Sequence, residues 1–175
     1  MIRTICIAFI LLPAFAGVCG NNTDAKLIKK AADIHRSVFT VDSHTDTPMR
    51  LMAGDFDPGR KHDSGGSKVD FPRMKEGGLN GIFFAVFTSQ GKRDQASFLK
   101  IKNEAFEIID TIYSVLKRNQ AMASLALKPQ DAYRLKKEGK IAVFIGMENG
   151  YPIGLDLSLV ETFFNRGVRL SLIHI

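Results

Sequence analysis

Val38-Phe39-Thr40-Val41-Asp42-Ser43-His44-Thr45-Asp46-Thr47-Pro48 begins as a strand and ends in polar residues, and the fold turns on how it is read. Residues 38–41 are β-branched and aromatic, the composition of a pleated, half-buried segment. Side chains two apart share a face of a strand, so Asp42, His44 and Asp46 project together and Phe39 and Val41 face the other way. A second stretch behaves similarly. In residues 141–148 the bulky Ile141, Val143, Ile145 and Met147 alternate with Ala142, Phe144, Gly146 and Glu148. Both stretches therefore deliver polar side chains at the C-terminal end of a strand.

Working outward, helices and strands take turns. Residues 24–35 carry Leu27, Ile28, Ala31, Ala32 and His35 at helical spacing, with Asp24 as a cap. Residues 53–68, rich in Gly, Asp and Lys, read as a long loop, and that length suits a loop with a function. A short helix follows over 71–78, with Pro72 near its start and Gly77-Gly78 at its end, and then a strand over 81–87. Residues 94–119 place Phe98, Ile101, Ala105, Ile108, Ile109, Ile112, Val115 and Leu116 on one face of a long amphipathic helix. A strand at 124–127 comes next, then a helix opened by Pro129 and closed by Gly139. Beyond the strand at 141–147, a helix over 159–166 starts at Asp156 or Ser158 and ends at Gly167, and Val168 opens a fifth strand.

Strands alternating with helices imply parallel strands and crossover helices, hence an α/β domain. Two architectures satisfy this, an open doubly wound sheet and part of a (β/α)8 barrel. Polar groups gathered at C-terminal strand ends favour the barrel, although an open sheet also binds ligands at that edge. No Gly-rich phosphate loop follows the first strand, which argues against a nucleotide-binding version. The expected fold is thus the N-terminal part of a metal-dependent-hydrolase-type (β/α)8 TIM barrel, incomplete at about five strands.

The 175 residues are 45% hydrophobic, enough for a sizeable core. The net charge of +6 is spread thinly, with acidic residues interleaved and no aromatic-laced basic stripe, so nucleic acid is not an expected partner. The N-terminus has the layout of a secretory signal peptide over residues 1–20. Arg3 precedes an apolar run from Ile5 to Ala16, too short to span a bilayer, and polar Asn21 and Asn22 follow. Cleavage after Ala16 or after Gly20 fits, and lipid attachment at Cys19 is the alternative. The two cysteines, Cys6 and Cys19, both lie in this leader, so a chain starting at residue 21 has no thiol for disulfides, nucleophiles or metal. The expected location is exported, periplasmic or extracellular, with or without a lipid anchor.

An imidazole and a carboxylate in a His-x-Asp pair form the N/O donor set that suits Zn²⁺. His44 and Asp46 are therefore candidate metal ligands, the alternative being a structural histidine bonded to a neighbouring aspartate. Glu148, at the end of a buried strand, needs a cation or hydrogen-bond donors to offset its charge. It is the third candidate ligand, with a salt bridge or cap as the alternative. Asp42 is a candidate to orient His44 from behind, against a plain strand-end hydrogen bond. His35, in the first helix, and His62, in the loop, read as surface or packing residues. Asn149 and Tyr151, beside Glu148, are candidates for substrate contact or for loop packing.

The phrase Val41-Asp42-Ser43-His44-Thr45-Asp46-Thr47-Pro48 resembles the signature of the membrane (renal) dipeptidase family. Further similarities follow in order: Val69-Asp70-Phe71-Pro72-Arg73-Met74-Lys75-Glu76-Gly77-Gly78, then residues 139–150, then Asp156-Leu157-Ser158-Leu159-Val160 and Asn165-Arg166-Gly167-Val168-Arg169. Together they span roughly residues 31–169. The resemblance implies a barrel holding two zinc ions, with His44 and Asp46 on one and Glu148 bridging both. Two later histidines would complete the set. It implies hydrolysis of dipeptides by a hydroxide held between the ions, with dipeptide as substrate and homodimers usual among relatives.

The chain departs from the family at its end. The family has a strand ending in Thr-His whose histidine contacts substrate, whereas here Leu170-Ser171-Leu172-Ile173-His174-Ile175 brings His174 one residue early. One residue turns a strand side chain to the opposite face, so His174 is a weak candidate for substrate binding, and residues 170–175 are open to being non-native. A partial dipeptidase domain over residues 21–175 has an open sheet edge, and the 175-residue chain is expected to be poorly stable and inactive. Two other functions stay in view, another amidohydrolase-type barrel enzyme and a non-catalytic secreted binding protein. The former class commonly begins with His-x-His, which Asp46 does not match.

Overall fold

A computed structural model of the protein describes residues 22–63 and 67–172. The leader with Cys6 and Cys19, and His174, lie outside the described residues. The chain divides into two compact units, residues 1–34 and 35–175. In the first, the helix α1 (Asn22–Ser37, which runs on into the second) carries a Lys29–Asp33 ion pair of 2.7 Å along one turn. No helix among the described residues is long and apolar enough to cross a membrane.

In the second unit five strands form one parallel sheet. They are β1 (Val41–Thr45), β2 (Gly81–Phe87), β3 (Ala123–Leu125), β4 (Ile141–Glu148) and β5 (Val168–Leu172). Between them run α2 (Thr47–Ala53), α3 (Phe71–Gly77), α4 (Gln95–Arg118), α5 (Pro129–Lys137), a single 3-10 turn (Tyr151–Ile153) and α6 (Ser158–Asn165). The α/β class and the parallel sheet are as expected, and β2, α3 and α4 fall within a residue or so of their expected spans. The helix α2 was not foreseen. Its signal is local: Asp46 stands at the N-cap, Pro48 lies in the first turn, and Gly54 closes the helix with φ of 77°.

β1 begins at Val41, later than its composition suggests; the Thr40 carbonyl already accepts the Asn80 and Gly81 N–H groups at 3.1 and 2.9 Å, while its own N–H goes to a side chain. The Thr40 N–H donates to Asn80 Oδ1 at 3.2 Å, and the Asn80 N–H donates to Thr40 Oγ1 at 3.0 Å. This exchange sets the register of β1 on β2, in which Val41 faces Gly81 and Asp42 faces Ile82.

The strand order is β1-β2-β4-β3, and β5 pairs with β4 as well. Position along β4 reconciles these partners. β3 pairs with its first residues, Ile141 to Val143, and β5 with its last, Ile145 to Glu148. β5 steps in with an irregularity at Arg169, whose guanidinium donates to the Leu127 and Phe164 carbonyls at 2.8 and 2.7 Å.

The two faces of β4 pack as its alternation requires. Ile141, Val143, Ile145 and Met147 join the main core with Ile82, Phe84, Val86 and the buried face of α4. On the other face Ala142 and Phe144 pack with Ala132 and Leu135 of α5, and the Phe83 and Phe144 rings stack at 4.7 Å. Above that stack the residues are small, Ala85 opposite Gly146, and then comes Glu148. That face thus carries aromatic rings low on the strands and small residues just below Glu148.

Candidate metal centre

Three ligand-type side chains meet at that end. His44 Nε2 lies 3.2 Å from Asp46 Oδ1 and 3.4 Å from Glu148 Oε2, and one ligand atom of each residue lies within 4.8 Å of the others. Glu148 is the most enclosed, its side chain 18% exposed, and Asp46 is the most open at 62%. Glu148 closes a central strand with neighbours on both edges, Phe87 on β2 and Leu172 on β5. His44 and Asp46 come from an edge strand and the turn after it.

Alternation alone does not bring His44 and Asp46 together. Between Asp42 and Thr45 the pairing of β1 with β2 slips by one residue, and Asp46 has left the strand to stand at the N-cap of α2 with φ of −81° and ψ of 17°. The expected three-residue face of Asp42, His44 and Asp46 is therefore replaced by a bulge and a turn. Such bulges re-aim side chains beside functional sites. Asp42 Oδ1 accepts the His44 backbone N–H at 3.0 Å, so its carboxylate holds the peptide of His44. The Thr45 and Thr47 hydroxyls, 2.9 Å apart, tie the same turn from the other side.

The donor set fits a zinc-type ion. With bonds of about 2.0 to 2.1 Å, tetrahedral ligands lie roughly 3.3 Å apart, the spacing His44 Nε2 keeps from both carboxylate oxygens. A neutral imidazole nitrogen offers either one proton or one lone pair. It cannot satisfy two carboxylates by hydrogen bonding alone, and two carboxylates this close repel each other. One cation between the three removes both difficulties.

The other two histidines among the described residues are used differently. His62 Nε2 lies 2.8 Å from the Asp57 carbonyl oxygen, its ring lies 4.5 Å from that of Phe56, and its backbone N–H donates to Asp70 Oδ2 at 2.9 Å. Asp70 is fully buried and also accepts from the Arg73 N–H at 2.8 Å and Arg73 Nε at 2.6 Å. Burial pushes the Asp70 carboxyl up, but the hydrogen bonds from Arg73 and His62 outweigh it and hold the group below its ordinary value. Asp57 is held low in the same way: burial is outweighed by the Gly59 N–H, the Asn119 amide and the charges of Arg60 and Arg118. His35 Nε2 lies 2.8 Å from the Gly77 carbonyl oxygen at the end of α3.

Asn149 and Tyr151, the two candidates beside Glu148, do not turn their polar groups towards the three ligand-type groups. Asn149 Nδ2 donates to the Thr88 carbonyl at 2.9 Å and its Oδ1 accepts the Tyr151 N–H at 3.0 Å. The Tyr151 hydroxyl donates to the Lys92 carbonyl, and its ring packs edge-on against Phe98 at 5.3 Å. Sequence reasoning did not single out Thr88, which has no motif around it.

A parallel α/β sheet with an imidazole and two carboxylates converging at its C-terminal ends defines the class, the N-terminal part of a barrel of the metal-dependent hydrolase type. The chain belongs to the membrane dipeptidase family, peptidase family M19, whose family model matches residues 28–175. Among curated relatives, dipeptidase ataJ of Aspergillus terreus is 22% identical over 138 residues, covering 75% of this chain and 34% of its own length. The chain thus spans about a third of that relative.

Solved structures agree on the fold. The probable dipeptidase PvdM from Pseudomonas aeruginosa superposes with a TM-score of 0.69 at 25% identity, over 86% of this chain and 38% of that one. A metallo peptidase from Rhodobacter sphaeroides, liganded with a phosphinate mimic of the dipeptide L-Ala-D-Ala, gives 0.65 at 19% identity, over 78% and 45%.

Proposed function

We propose that the protein is a zinc metallodipeptidase, hydrolysing the peptide bond of dipeptides, with His44, Asp46 and Glu148 as metal ligands and Glu148 shared between two ions. The observation that carries this is the His44 imidazole nitrogen facing two carboxylate oxygens at the ligand spacing of a tetrahedral ion. Membership of the dipeptidase family supports the reaction, and the dipeptide mimic in the Rhodobacter structure supports the substrate class.

Zinc, when bound, supplies Lewis acidity to polarise a carbonyl and lowers the pKa of water, so no nucleophilic side chain is required. The chain's own residues do the rest. Glu148, largely enclosed on a central strand, supplies a fixed point, and His44 and Asp46 approach it from the bulged edge. Ala85 and Gly146 place only small residues on the strand face next to Glu148. The signal-peptide layout of residues 1–20 supports export, with lipid attachment at Cys19 as the alternative to cleavage after Ala16 or Gly20.

The test is metal analysis of the purified protein alongside hydrolysis of a panel of dipeptides. About two zinc per complete chain, with turnover that a chelator abolishes and zinc restores, is the expected result. Turnover that survives chelation and coincides with no bound metal would sink the proposal.

A further inference from the structure

The geometry points to Asn149 as a positioning residue for the metal site: its carboxamide braces the end of β2 to the end of β4 and so sets where Glu148 stands relative to His44. The inference rests on the metal-site reading above and extends it to a residue that touches neither metal nor substrate.

β1 and β4 are not neighbours. β2 stands between them, so the approach of Glu148 to His44 depends on the β2–β4 register, whose last pair is Phe87 with Glu148. Beyond that pair the ladder stops, because Asn149 takes the left-handed conformation at φ of 66° and turns the chain out of the strand. Asparagine is among the few side chains that enter this region readily.

Its side chain then replaces the missing ladder bonds. The amide donates to the Thr88 carbonyl, one residue past the end of β2, and accepts the Tyr151 N–H on its own side. Asn149 is 5% exposed, so both groups would be costly to leave unpaired. The backbone of Glu148 is thereby held on both sides, by the sheet before it and by the brace after it. Tyr151 anchors the same turn elsewhere, through its hydroxyl on the Lys92 carbonyl. That second tie reaches the loop after β2 four residues beyond Thr88, farther from the last β2–β4 pair, and it supplies a comparison.

The experiment is Co²⁺ titration of the metal-free protein, followed by the visible absorption of the bound ion, which reports affinity and coordination geometry. Asn149→Gly keeps the left-handed backbone and removes the amide. It is expected to weaken Co²⁺ binding by about 10-fold or more and to change the visible band, as loss of groups that orient ligands does. Tyr151→Phe is expected to bind Co²⁺ as the unsubstituted protein does. Wild-type affinity in a folded Asn149→Gly protein overturns the inference. So does equal weakening in both variants, since the effect would then belong to the loop as a whole. If thermal melting shows that Asn149→Gly does not fold, Asn149→Asp decides through the visible band, and an unchanged band overturns the inference. That variant keeps the Tyr151 bond, loses the donor to Thr88 and adds a negative charge that itself favours a cation, so coordination geometry and not affinity is its readout. Absence of Co²⁺ binding by the unsubstituted protein removes the metal-site reading itself, and this inference with it.

Discussion

Two clusters in this protein are built from the same residue types, one histidine with two or three aspartates or glutamates, and they do opposite things. In the loop before α3, the charges of Asp57 and Asp70 are answered from within the protein, by Arg73, by backbone N–H groups and by the Asn119 amide. There the His62 ring nitrogen meets a backbone carbonyl. At the strand ends the His44 ring nitrogen meets two carboxylates instead. The first cluster is a closed hydrogen-bond account and therefore a brace. The second gathers one imidazole nitrogen and two carboxylate oxygens at ligand spacing, the arrangement on which the proposed cation site rests. Residue type does not separate the two; the partner of the imidazole does, a backbone carbonyl in one and two carboxylates in the other.

The sharpest way to break this distinction is to exchange the consequences of mutation. Glu148→Gln keeps the size of the side chain and removes its charge. It is expected to abolish bound zinc and cut dipeptide turnover by about 10³-fold or more, since a metal supplies several kcal/mol to the transition state. Metal analysis and initial rates on the complete enzyme measure it, and the melting temperature of the metal-free protein is expected to stay put.

Asp70→Ala is expected to do the reverse. Removing one partner of a buried ion pair costs about 3–5 kcal/mol, readable as a shift of the urea midpoint, with Co²⁺ affinity retained in the folded fraction. A metal defect in this variant would mean that the two clusters are coupled, and the comparison would lose its force.

Gly59→Ala probes the brace more gently. A Cβ built at Gly59 would stand 1.8 Å from Asn119 Oδ1, an atom whose amide is already bonded to Asp57 and to the Val115 carbonyl. The expected loss is about 1–3 kcal/mol, as for overpacking, measured by urea unfolding.

The brace also predicts a pH response. The Asp70 carboxyl lies lower in the folded chain than its ordinary 3.8, so the unfolded chain takes up the proton first on acidification. Its contribution to stability is present above 3.8 and is lost as pH falls through the lower folded value. Unfolding free energies of the metal-free protein measured down through that range are expected to decline, and Asp70→Asn is expected to flatten the decline.

The smallest effect belongs to Thr88→Val. The Thr88 hydroxyl is buried with no hydrogen-bond partner among the described residues, so an isosteric methyl is expected to leave stability within about 0.5 kcal/mol or raise it slightly. Thermal melting checks this, and a large loss would reveal a partner the hydroxyl depends on.

The sequence by itself determined what repeats locally. The three- and four-residue steps from Phe98 to Leu116 specify α4, the alternation of Ile141 to Glu148 specifies both faces of β4, and Pro72 with Gly77-Gly78 brackets α3. These follow from period and backbone chemistry within a single element. His44, Asp46 and Glu148 were legible as candidates because each stands where a β-rich run gives way to polar residues. The brief α2 is not legible from periodicity although its cap, proline and glycine are all present, because seven residues make about two turns and too few apolar steps to mark a helical face.

Only the tertiary structure decided how the pieces meet. The bulge between Asp42 and Thr45, the sharing of one edge of β4 by β3 and β5, and the approach of Glu148 to His44 across β2 all depend on pairing between distant segments. Register of that kind is set by which cores pack and which backbone groups find partners across the fold, and no period within one strand encodes it.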